Sequence, residues 1–447
     1  MEQDLTTGSV FKRIVYFSLP YLLSYFLQTL YGMADLFITG QFYGVDTITA
    51  VSNGSQIMHM MTVIIVGLAM GTTVTIGHSV GAKCMEQAEK IIGNTITLFM
   101  GIAVAFTVIL VVLVKPIVVL IATPQEAVAG TSIYLLICFI GIPFITAYNI
   151  ISSIFRGLGD SKSPMYFIGI ACVMNIALDY LFMGAFHMGA AGAALGTVCA
   201  QTFSVLVALW VIRRRKTGIS LKKSDFKIER AVIGKVLKIG IPVALQDGFI
   251  QVAFMIITVI ANSRGVSDAA AVGVVEKVIS ALFIVPSSML ATVSALSAQN
   301  LGAGKEKRAT DTLHYATVIT TIYGMIVAVL IQFIAENVVG IFTSDTTVVT
   351  MGSAYIRSYI WDCIFAGIHF SFSGYFAACG KSYIGFLHNI ISITFVRVPG
   401  SYLASKYFTD TLYPMGLAAP AGSLVSVAIC VTAFILLKKK SRVAQTA

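Results

Sequence analysis

Long apolar segments follow one another along the whole chain and constrain its fold more than any other feature. Several reach the ~18–20 residues that an α-helix needs to cross a bilayer. Only 11% of the 447 residues are charged, too few to cover the surface of a soluble protein of this length. We therefore expect an all-α membrane protein with twelve transmembrane helices, at residues 14–39, 48–78, 92–114, 128–151, 164–184, 190–212, 239–262, 270–298, 312–334, 349–376, 384–405 and 415–437.

Basic residues are distributed unevenly among the connections between these helices. Of the 30 Lys and Arg, 24 lie in the two termini and the even-numbered connections, three in the odd-numbered connections and three within spans. Because short loops rich in Lys and Arg stay in the cytoplasm, we expect a multi-pass protein of the bacterial inner (plasma) membrane with both termini cytoplasmic. A surface for nucleic acid would not alternate with every second span, so the net charge of +10 predicts no nucleic-acid partner.

Short sequences recur at a nearly constant distance along the chain. Leu19-Pro20 recurs as Ile241-Pro242, and SSIFRGLGDS at 152–161 recurs as SGYFAACGKS at 373–382, which are offsets of 222 and 221 residues. A constant offset over so long a stretch indicates an internal duplication. Each half carries six spans, so we expect two six-helix lobes related by a pseudo-two-fold axis along the membrane normal. The expected parts are an N-lobe at 1–212, a cytoplasmic linker at 213–238 and a C-lobe at 239–447.

The fifth span carries two polar residues deep within an apolar stretch. Asn175 and Asp179 are four residues apart and therefore share one face of a helix. A carboxylate at that depth costs about 2.5–3.5 kcal/mol on insertion scales, and such residues usually bind an ion, a proton or a substrate. The alternative is a core acid held by hydrogen bonds. With the 221-residue offset, Asp179 maps to Gly400, so the duplication leaves this acid in one half only.

Several short motifs stand in a fixed order along the chain. They are Leu19-Pro20, Tyr31-Gly-Met-Ala-Asp35, Val80-Gly-Ala-Lys83, Arg156-Gly-Leu-Gly-Asp160, Asn175 with Asp179, and Gly192-Ala-Ala-Leu-Gly-Thr197. Together with two sets of six spans, this order resembles the multidrug and toxic compound extrusion (MATE) family over nearly the whole chain. The resemblance implies a secondary antiporter that exports mostly cationic, amphipathic organic compounds against an inward flow of H⁺ or Na⁺.

The resemblance also implies a cation site in the N-lobe. Its residues here would be Asp35, which comes fifteen residues after Pro20, together with Asn175, Asp179 and Thr197. These four are our candidate ligands for H⁺ or Na⁺. Pro20 itself is implied to be the place where the first helix bends.

The predicted topology allows these four side chains to meet. The first and fifth spans run outward, and the sixth runs inward. At 1.5 Å per residue, Asp35 lies roughly 25–30 Å and Asp179 roughly 22 Å from the inner ends of their helices. Thr197 lies about 10 Å below the outer surface, so all three levels fall in the outer half of the bilayer. The alternative for Asp35 is a residue at a helix end that faces water.

The chemistry of the four side chains suits a cation. Carboxylates, an amide carbonyl and a hydroxyl all supply oxygen ligands. Two acids close together in a medium of low dielectric constant cannot easily both ionise. Binding of H⁺ or Na⁺ relieves the repulsion, so either ion could drive a two-state rearrangement by binding one state better.

The second half contains intramembrane charges of its own. Three acids, Asp247, Glu276 and Asp362, could attract a cationic substrate in a central cleft, and Tyr31 of the first span could line it. Internal ion pairs are the alternative for these acids, for example Arg357 with Asp362 or with Glu276.

The seventh span departs from one branch of the family. Relatives of the NorM type are implied to use a Glu about two turns beyond the proline of that span. Here the stretch reads Gly248-Phe249-Ile250-Gln251 and contains no acid. The departure favours a DinF-like mechanism centred on the N-lobe.

Signatures of enzymes and of ATP-driven pumps are missing from the sequence. Gly380-Lys381-Ser382 is similar to the end of a P-loop, but the required first glycine would fall at 375, which is Tyr. The seven cysteines are scattered without a CxxC pair, which argues against zinc sites and disulfides.

The sequence therefore favours a cation-coupled exporter that works by alternating access. We expect a monomer that is not an enzyme, with small organic substrates and no cofactor besides the coupling ion. The second hypothesis is a flippase for a lipid-linked or amphipathic precursor, which would need a cleft rich in Arg and Lys. A passive channel is the third.

Overall fold

The computed structural model describes residues 4–214 and 220–446, with side chains described as far as residue 439. These residues form helices joined by short connections, and no β-strand occurs among them, which confirms the prediction of an all-α protein. The helices are α1 (Val10–Phe42), α2 (Val45–Gly81), α3 (Met85–Leu120), α4 (Val128–Ile140), α5 (Ile142–Gly157), α6 (Lys162–Asp179), α7 (Gly189–Arg214), α8 (Arg230–Asn262), α9 (Val266–Leu282), α10 (Ile284–Gly302), α11 (Glu306–Gly340), α12 (Thr346–Tyr359), α13 (Asp362–Ala378), α14 (Tyr383–Ser392), α15 (Val398–Tyr407), α16 (Tyr413–Gly416) and α17 (Ala418–Thr446).

Much of this helical structure is long and apolar enough to cross a membrane. Among the described residues, eight helical segments meet that condition by length and composition, and the pair α4 and α5, bent by 51°, makes a ninth. Helices also cover the remaining predicted spans. The span 14–39 lies on α1, 349–376 lies on α12 and α13, and 384–405 lies on α14 and α15.

Shorter elements interrupt or join these helices. The 3-10 turns are Gln125–Ala127 and Lys223–Phe226, and the π-helical segments are Tyr180–Ala185 and Ile393–Arg397. One π segment directly follows Asp179, and the other ends at Arg397. Because π turns often mark functional positions in helices, both segments single out a charged residue within a predicted span.

The segment that the sequence assigns to a linker, 213–238, is largely helical. Helix α7 continues to Arg214, and α8 already begins at Arg230. The 3-10 turn Lys223–Phe226 lies between them, and residues 215–219 lie outside the described residues.

The chain divides into two compact units. The first contains Val15–Ala244 and Ala298–Gly304, and the second contains Gly8–Ile14, Leu245–Ser297 and the chain from Lys305. The core of the first unit includes the buried side chains of Tyr134, Phe139 and Phe167. The core of the second includes those of Tyr355, Tyr359 and Ile360.

Glycines allow two helices of the first unit to approach very closely. A Cβ atom added to Gly81 on α2 would lie 1.9 Å from the carbonyl oxygen of Gln299 on α10. A Cβ atom added to Gly302 would lie 2.1 Å from the carbonyl oxygen of His78. The two contacts are related by the same 221-residue offset as the repeated sequences. This offset explains why a glycine recurs in both motifs.

Arg264 in the second unit joins the start of α9 to the chain at residues 405–411. Its buried guanidinium forms a 2.6 Å ion pair with Asp268. It also donates to four backbone carbonyl groups, at distances of 2.9 to 3.4 Å. These carbonyls belong to Ser405, Phe408, Thr409 and Thr411.

We expect Arg264→Lys to destabilise the protein strongly, because an ammonium group cannot reproduce this fork of five contacts. Lysine keeps the positive charge beside Asp268 but loses most of the hydrogen bonds to the four carbonyls, which should cost about 2 kcal/mol of unfolding free energy. The thermal midpoint of the purified protein measures the effect. Lys406→Ala, a change to an exposed neighbouring side chain, should leave the midpoint unchanged, and an unaltered midpoint for Arg264→Lys would contradict the assignment.

Candidate coupling site

Three helices of the first unit carry the four candidate ligands. Asp35 lies in the second half of α1, and Thr197 lies near the start of α7. Asn175 and Asp179 lie in the last turns of α6, one helical turn apart. Helix α6 packs directly against α7, so Asn175, Asp179 and Thr197 lie on neighbouring helices.

The four side chains form one buried polar cluster. The hydroxyl of Thr197 donates to Asp35 Oδ2 over 3.3 Å. The carboxyl group of Asp35 also lies close to the side chains of Asp179 and Asn175, although neither of them forms a hydrogen bond with it. Both acids and Asn175 are at most 2% exposed. Their role as a cation site stays a prediction, since the geometry establishes only that they meet.

Most polar atoms of this cluster have no hydrogen-bond partner. The unpartnered atoms are Asp35 Oδ1, both carboxylate oxygens of Asp179, and both amide atoms of Asn175. A buried polar group without a partner costs about 1–3 kcal/mol, and a charged one costs more. Two facing carboxylates have only acceptor oxygens when both are ionised, so a cation or a proton is needed to satisfy them.

Gly196 on α7 has no side chain, which leaves room for Asp179. A Cβ atom added to Gly196 would lie 2.1 Å from Asp179 Oδ1 and 3.6 Å from Asn175 Nδ2. The carboxylate therefore occupies a notch that only glycine leaves open. Sequence reasoning assigned no role in the site to Gly196, although it directly precedes Thr197 in the motif.

The donor set of the cluster fits the ions that the sequence suggests. Two carboxylates, an amide oxygen and a hydroxyl are hard oxygen ligands, which suit Na⁺ or a proton better than a transition metal. Within the described part of the chain, no group of three or more His, Cys, Asp and Glu side chains is placed to hold a metal ion.

Tyr31 continues the polar surface one helical turn before Asp35. It is half-buried, and its hydroxyl lies within reach of the side chains of Gln28 and Gln201. Gln201 lies on α7, one turn beyond Thr197, and its Oε1 has no hydrogen-bond partner. Tyr31 therefore neighbours the acidic cluster, and its contact with substrate stays a prediction. Pro20 lies buried inside α1, where its bending role likewise stays a prediction.

Arg397 is the basic centre of the second unit. Its guanidinium donates to the hydroxyl of Tyr359 and lies 5.1 Å from the ring centre of Phe254. Asp362, which is fully buried, and Glu276 lie near it. Neither acid forms an ion pair with Arg397 within the described residues, and both carboxylate oxygens of Asp362 lack a hydrogen-bond partner. Glu276 also accepts a 3.3 Å hydrogen bond from Thr258.

The suggested pairing of Arg357 with Asp362 or Glu276 is wrong. Arg357 pairs with Glu336 instead, at 3.3 Å. Arg357 on α12 faces α11, where it also donates to the carbonyl of Gln332, whereas Arg397 at the end of the π segment lies near the two acids. Arg397 is one of the three basic residues within the predicted spans.

Asp247, His369 and His388 are three further titratable residues within the predicted spans of the second unit. Asp247 is half-buried on α8 and forms no ion pair within the described residues. The imidazole rings of His369 and His388 lie 5.3 Å apart, and their Nε2 atoms contact the hydroxyls of Ser423 and Ser373. Contact of Asp247, Glu276 and Asp362 with substrate stays a prediction.

The fold and the site together define a multi-pass helical membrane protein with a pair of acids buried in one unit. The MatE family model matches the chain twice, at residues 20–181 and 242–403. The chain therefore belongs to the MatE family. The two matches begin 222 residues apart, in agreement with the repeat found in the sequence.

Known proteins resemble the chain over nearly its full length. The probable multidrug resistance protein YpnP of Bacillus subtilis (strain 168) is 30% identical over 93% of both chains. The multidrug export protein MepA of Staphylococcus aureus (strain MSSA476) is 23% identical over 83% of this chain and 82% of its own. The outward-facing conformation of a multidrug resistance MATE family transporter has the same fold, with a TM-score of 0.91 at 20% identity over 98% of this chain and 99% of its own.

Proposed function

We propose that this protein is a secondary antiporter that exports organic, mostly cationic and amphipathic compounds in exchange for H⁺ or Na⁺. The observation that carries the proposal is the buried pair Asp35 and Asp179, whose unpartnered oxygens need a cation. Family membership and relatives named for multidrug export and resistance support the substrate class.

The electrostatics of the pair provide the coupling. With a proton or Na⁺ bound, the two acids and Asn175 form a compensated cluster that is stable in the apolar interior. Loss of the ion leaves a buried charge with no partner, which favours a rearrangement that admits water or another cation. A ligand shifts such an equilibrium only by its difference in affinity for the two states, and the buried pair provides that difference. In α1, Pro20 removes one backbone donor and is the position where this helix can bend.

We propose further that the protein has twelve transmembrane helices in two six-helix lobes related by a pseudo-two-fold axis. It would act as a monomer in the plasma membrane, with both termini in the cytoplasm. The double match of the family model supports the two lobes. A DinF-like mechanism is favoured because Arg397 lies near Asp362 and Glu276 in the second unit, whereas no basic side chain of the described residues lies near Asp35 and Asp179.

The flippase hypothesis has few basic residues within the predicted spans to bind phosphate groups. Arg357 is paired with Glu336, and Arg397 donates to Tyr359 near two acids. The third is Lys277, which is exposed on α9 and forms no salt bridge within the described residues. None of the relatives described above is named for lipid translocation, so the exporter is the better-supported function.

Efflux from proteoliposomes tests the function. Vesicles that contain the purified protein are loaded with a fluorescent organic cation, and a pH gradient and a Na⁺ gradient are imposed in separate experiments. We expect one of the two gradients to accelerate export at least about tenfold over vesicles without a gradient. Equal rates in all three conditions would contradict the proposal, and movement of a fluorescent lipid would favour the flippase.

A further inference from the structure

The short segment that joins the two halves is fixed against α3. We call residues 220–230 the linker segment. Asn94, which is buried in α3, donates to the carbonyl of Asp225 over 3.0 Å and accepts from the backbone N–H of Glu229 over 2.7 Å. The hydroxyl of Thr97 donates to the carbonyl of Phe226 over 3.0 Å. Three hydrogen bonds from two α3 side chains therefore hold this backbone in place.

Two further features make the attachment close and rigid. A Cβ atom added to Gly93 would lie 2.4 Å from the carbonyl oxygen of Asp225, so the backbone of the linker segment touches α3 directly. The carboxylate of Asp225 folds back to accept from the backbone N–H of Lys222 over 2.7 Å. Asp225 is buried, and its carboxylate accepts a hydrogen bond from within the segment and does not face the membrane surface.

The attachment points lie where α3 enters the membrane. Lys90 is the last charged residue before the uncharged stretch 91–114, whose 24 residues span about 36 Å as a helix. A bilayer core is about 30 Å thick, so its inner boundary falls just beyond Lys90. Asn94 and Thr97 follow Lys90 by about 6–10 Å along the helix axis. The linker segment therefore lies at the level of the lipid headgroups and the first acyl carbons.

The exposed side chains of the linker segment have the composition of an interfacial anchor. Three large apolar side chains are between 38% and 61% exposed, namely those of Leu221, Phe226 and Ile228. Four basic side chains are exposed and form no salt bridge within the described residues, namely those of Lys222, Lys223, Lys227 and Arg230. Apolar and basic side chains together favour binding to an anionic membrane surface.

We propose that the linker segment is a membrane anchor that binds the phosphate groups of anionic phospholipids in the inner leaflet. Phe226 and Ile228 enter the acyl region, and the basic side chains contact the headgroups. Glutamate side chains beside the linker segment repel phosphate and so limit which basic side chains contact the headgroups. A groove of about 520 Å³ beside the segment is lined by Glu86, Glu89 and Glu229 as well as by Lys222 and Lys227. The principal headgroup contacts therefore fall to Lys223 and Arg230, which do not line the groove.

A single tryptophan in the linker segment reports its surroundings. The chain has two tryptophans, so Phe226→Trp is placed in a Trp210→Phe, Trp361→Phe background. The full-length protein is reconstituted in nanodiscs that contain either brominated phosphatidylglycerol or brominated phosphatidylcholine, with bromine close to the headgroup. We expect both lipids to quench the fluorescence of residue 226, and the anionic lipid to quench it about twofold more strongly.

Charge variants test the headgroup contacts. The double change Lys223→Gln, Arg230→Gln should bring the ratio of the two quenching constants to about one, because the excess arises from the basic side chains. Lys406→Gln, in an odd-numbered connection, should leave the ratio unchanged. If Phe226→Trp disturbs folding, Ile228→Trp replaces it as reporter. Quenching by aqueous iodide without quenching by brominated lipid would overturn the anchor, and equal quenching by both lipids in the unaltered segment would overturn the selective binding of anionic phospholipids.

Discussion

Asp179→Asn and Asp35→Asn are each expected to abolish ion-driven export while leaving expression and substrate binding intact. An amide cannot release a proton, and it offers one neutral oxygen to Na⁺ in place of a charged pair. Both changes remove the charge that makes one conformation depend on the ion. We expect transport rates to fall about 100-fold, because coupling free energies of 1–3 kcal/mol correspond to such factors.

The same variants should be at least as stable as the natural protein. Asp179 is fully buried and neither carboxylate oxygen has a hydrogen-bond partner, so replacing it with a neutral amide removes a buried charge at little structural cost. A raised thermal midpoint together with lost export would show that the residue serves function at the expense of stability. Asp46→Asn, an exposed acid in the first turn of α2, is the matched control and should transport normally. Gradient-driven export at the natural rate by both site variants would refute the coupling role.

Gly196→Ala is expected to impair coupling nearly as severely, although the change adds only one methyl group. The added Cβ would lie 2.1 Å from Asp179 Oδ1, so the carboxylate must move by about 1 Å to reach ordinary contact distance. Displacing a ligand by that distance costs about 100-fold in precisely positioned sites. Export driven by the effective gradient measures the loss.

A second glycine separates this effect from general changes in the helices. Gly101→Ala on α3 introduces a methyl group with no atom within 4 Å, and it should leave transport unchanged. Alanine also stabilises a helix by about 1 kcal/mol relative to glycine, so neither variant should lose helical stability. The presence of glycine at 196, despite this preference, agrees with a requirement for space beside Asp179. Normal coupling in Gly196→Ala would show that Asp179 can bind its ion from a displaced position.

Asn175 and Asp179 could be found from sequence because a spacing of four residues places them on one face of a helix. The resemblance to the family selected Asp35 and Thr197, and helical geometry showed only that their depths allow the four side chains to meet. An isolated acid in an apolar segment is conspicuous because burial of charge is costly. The helical fold followed from the same apolar segments.

Contacts that depend on how each helix is rotated about its axis could not be predicted from the sequence. Gly196 has no side chain to attract attention, and its role appears only when α7 packs against Asp179. Arg357 and Arg397 both lie in apolar segments, and their spacing in sequence does not show that Arg357 faces α11 while Arg397 lies near Asp362 and Glu276. The attachment of the linker segment was equally hidden, because Asn94 binds backbone groups, which carry no residue-specific pattern.

Counting the cations bound per protein tests the role of the acid pair most directly. Proton release and radioactive sodium displacement are measured in parallel when saturating substrate is added to purified protein. We expect the natural protein to release about one cation of one kind per molecule, and the Asp35→Asn, Asp179→Asn double variant to release none. An equal release from the double variant would place the coupling ion elsewhere and contradict the mechanism.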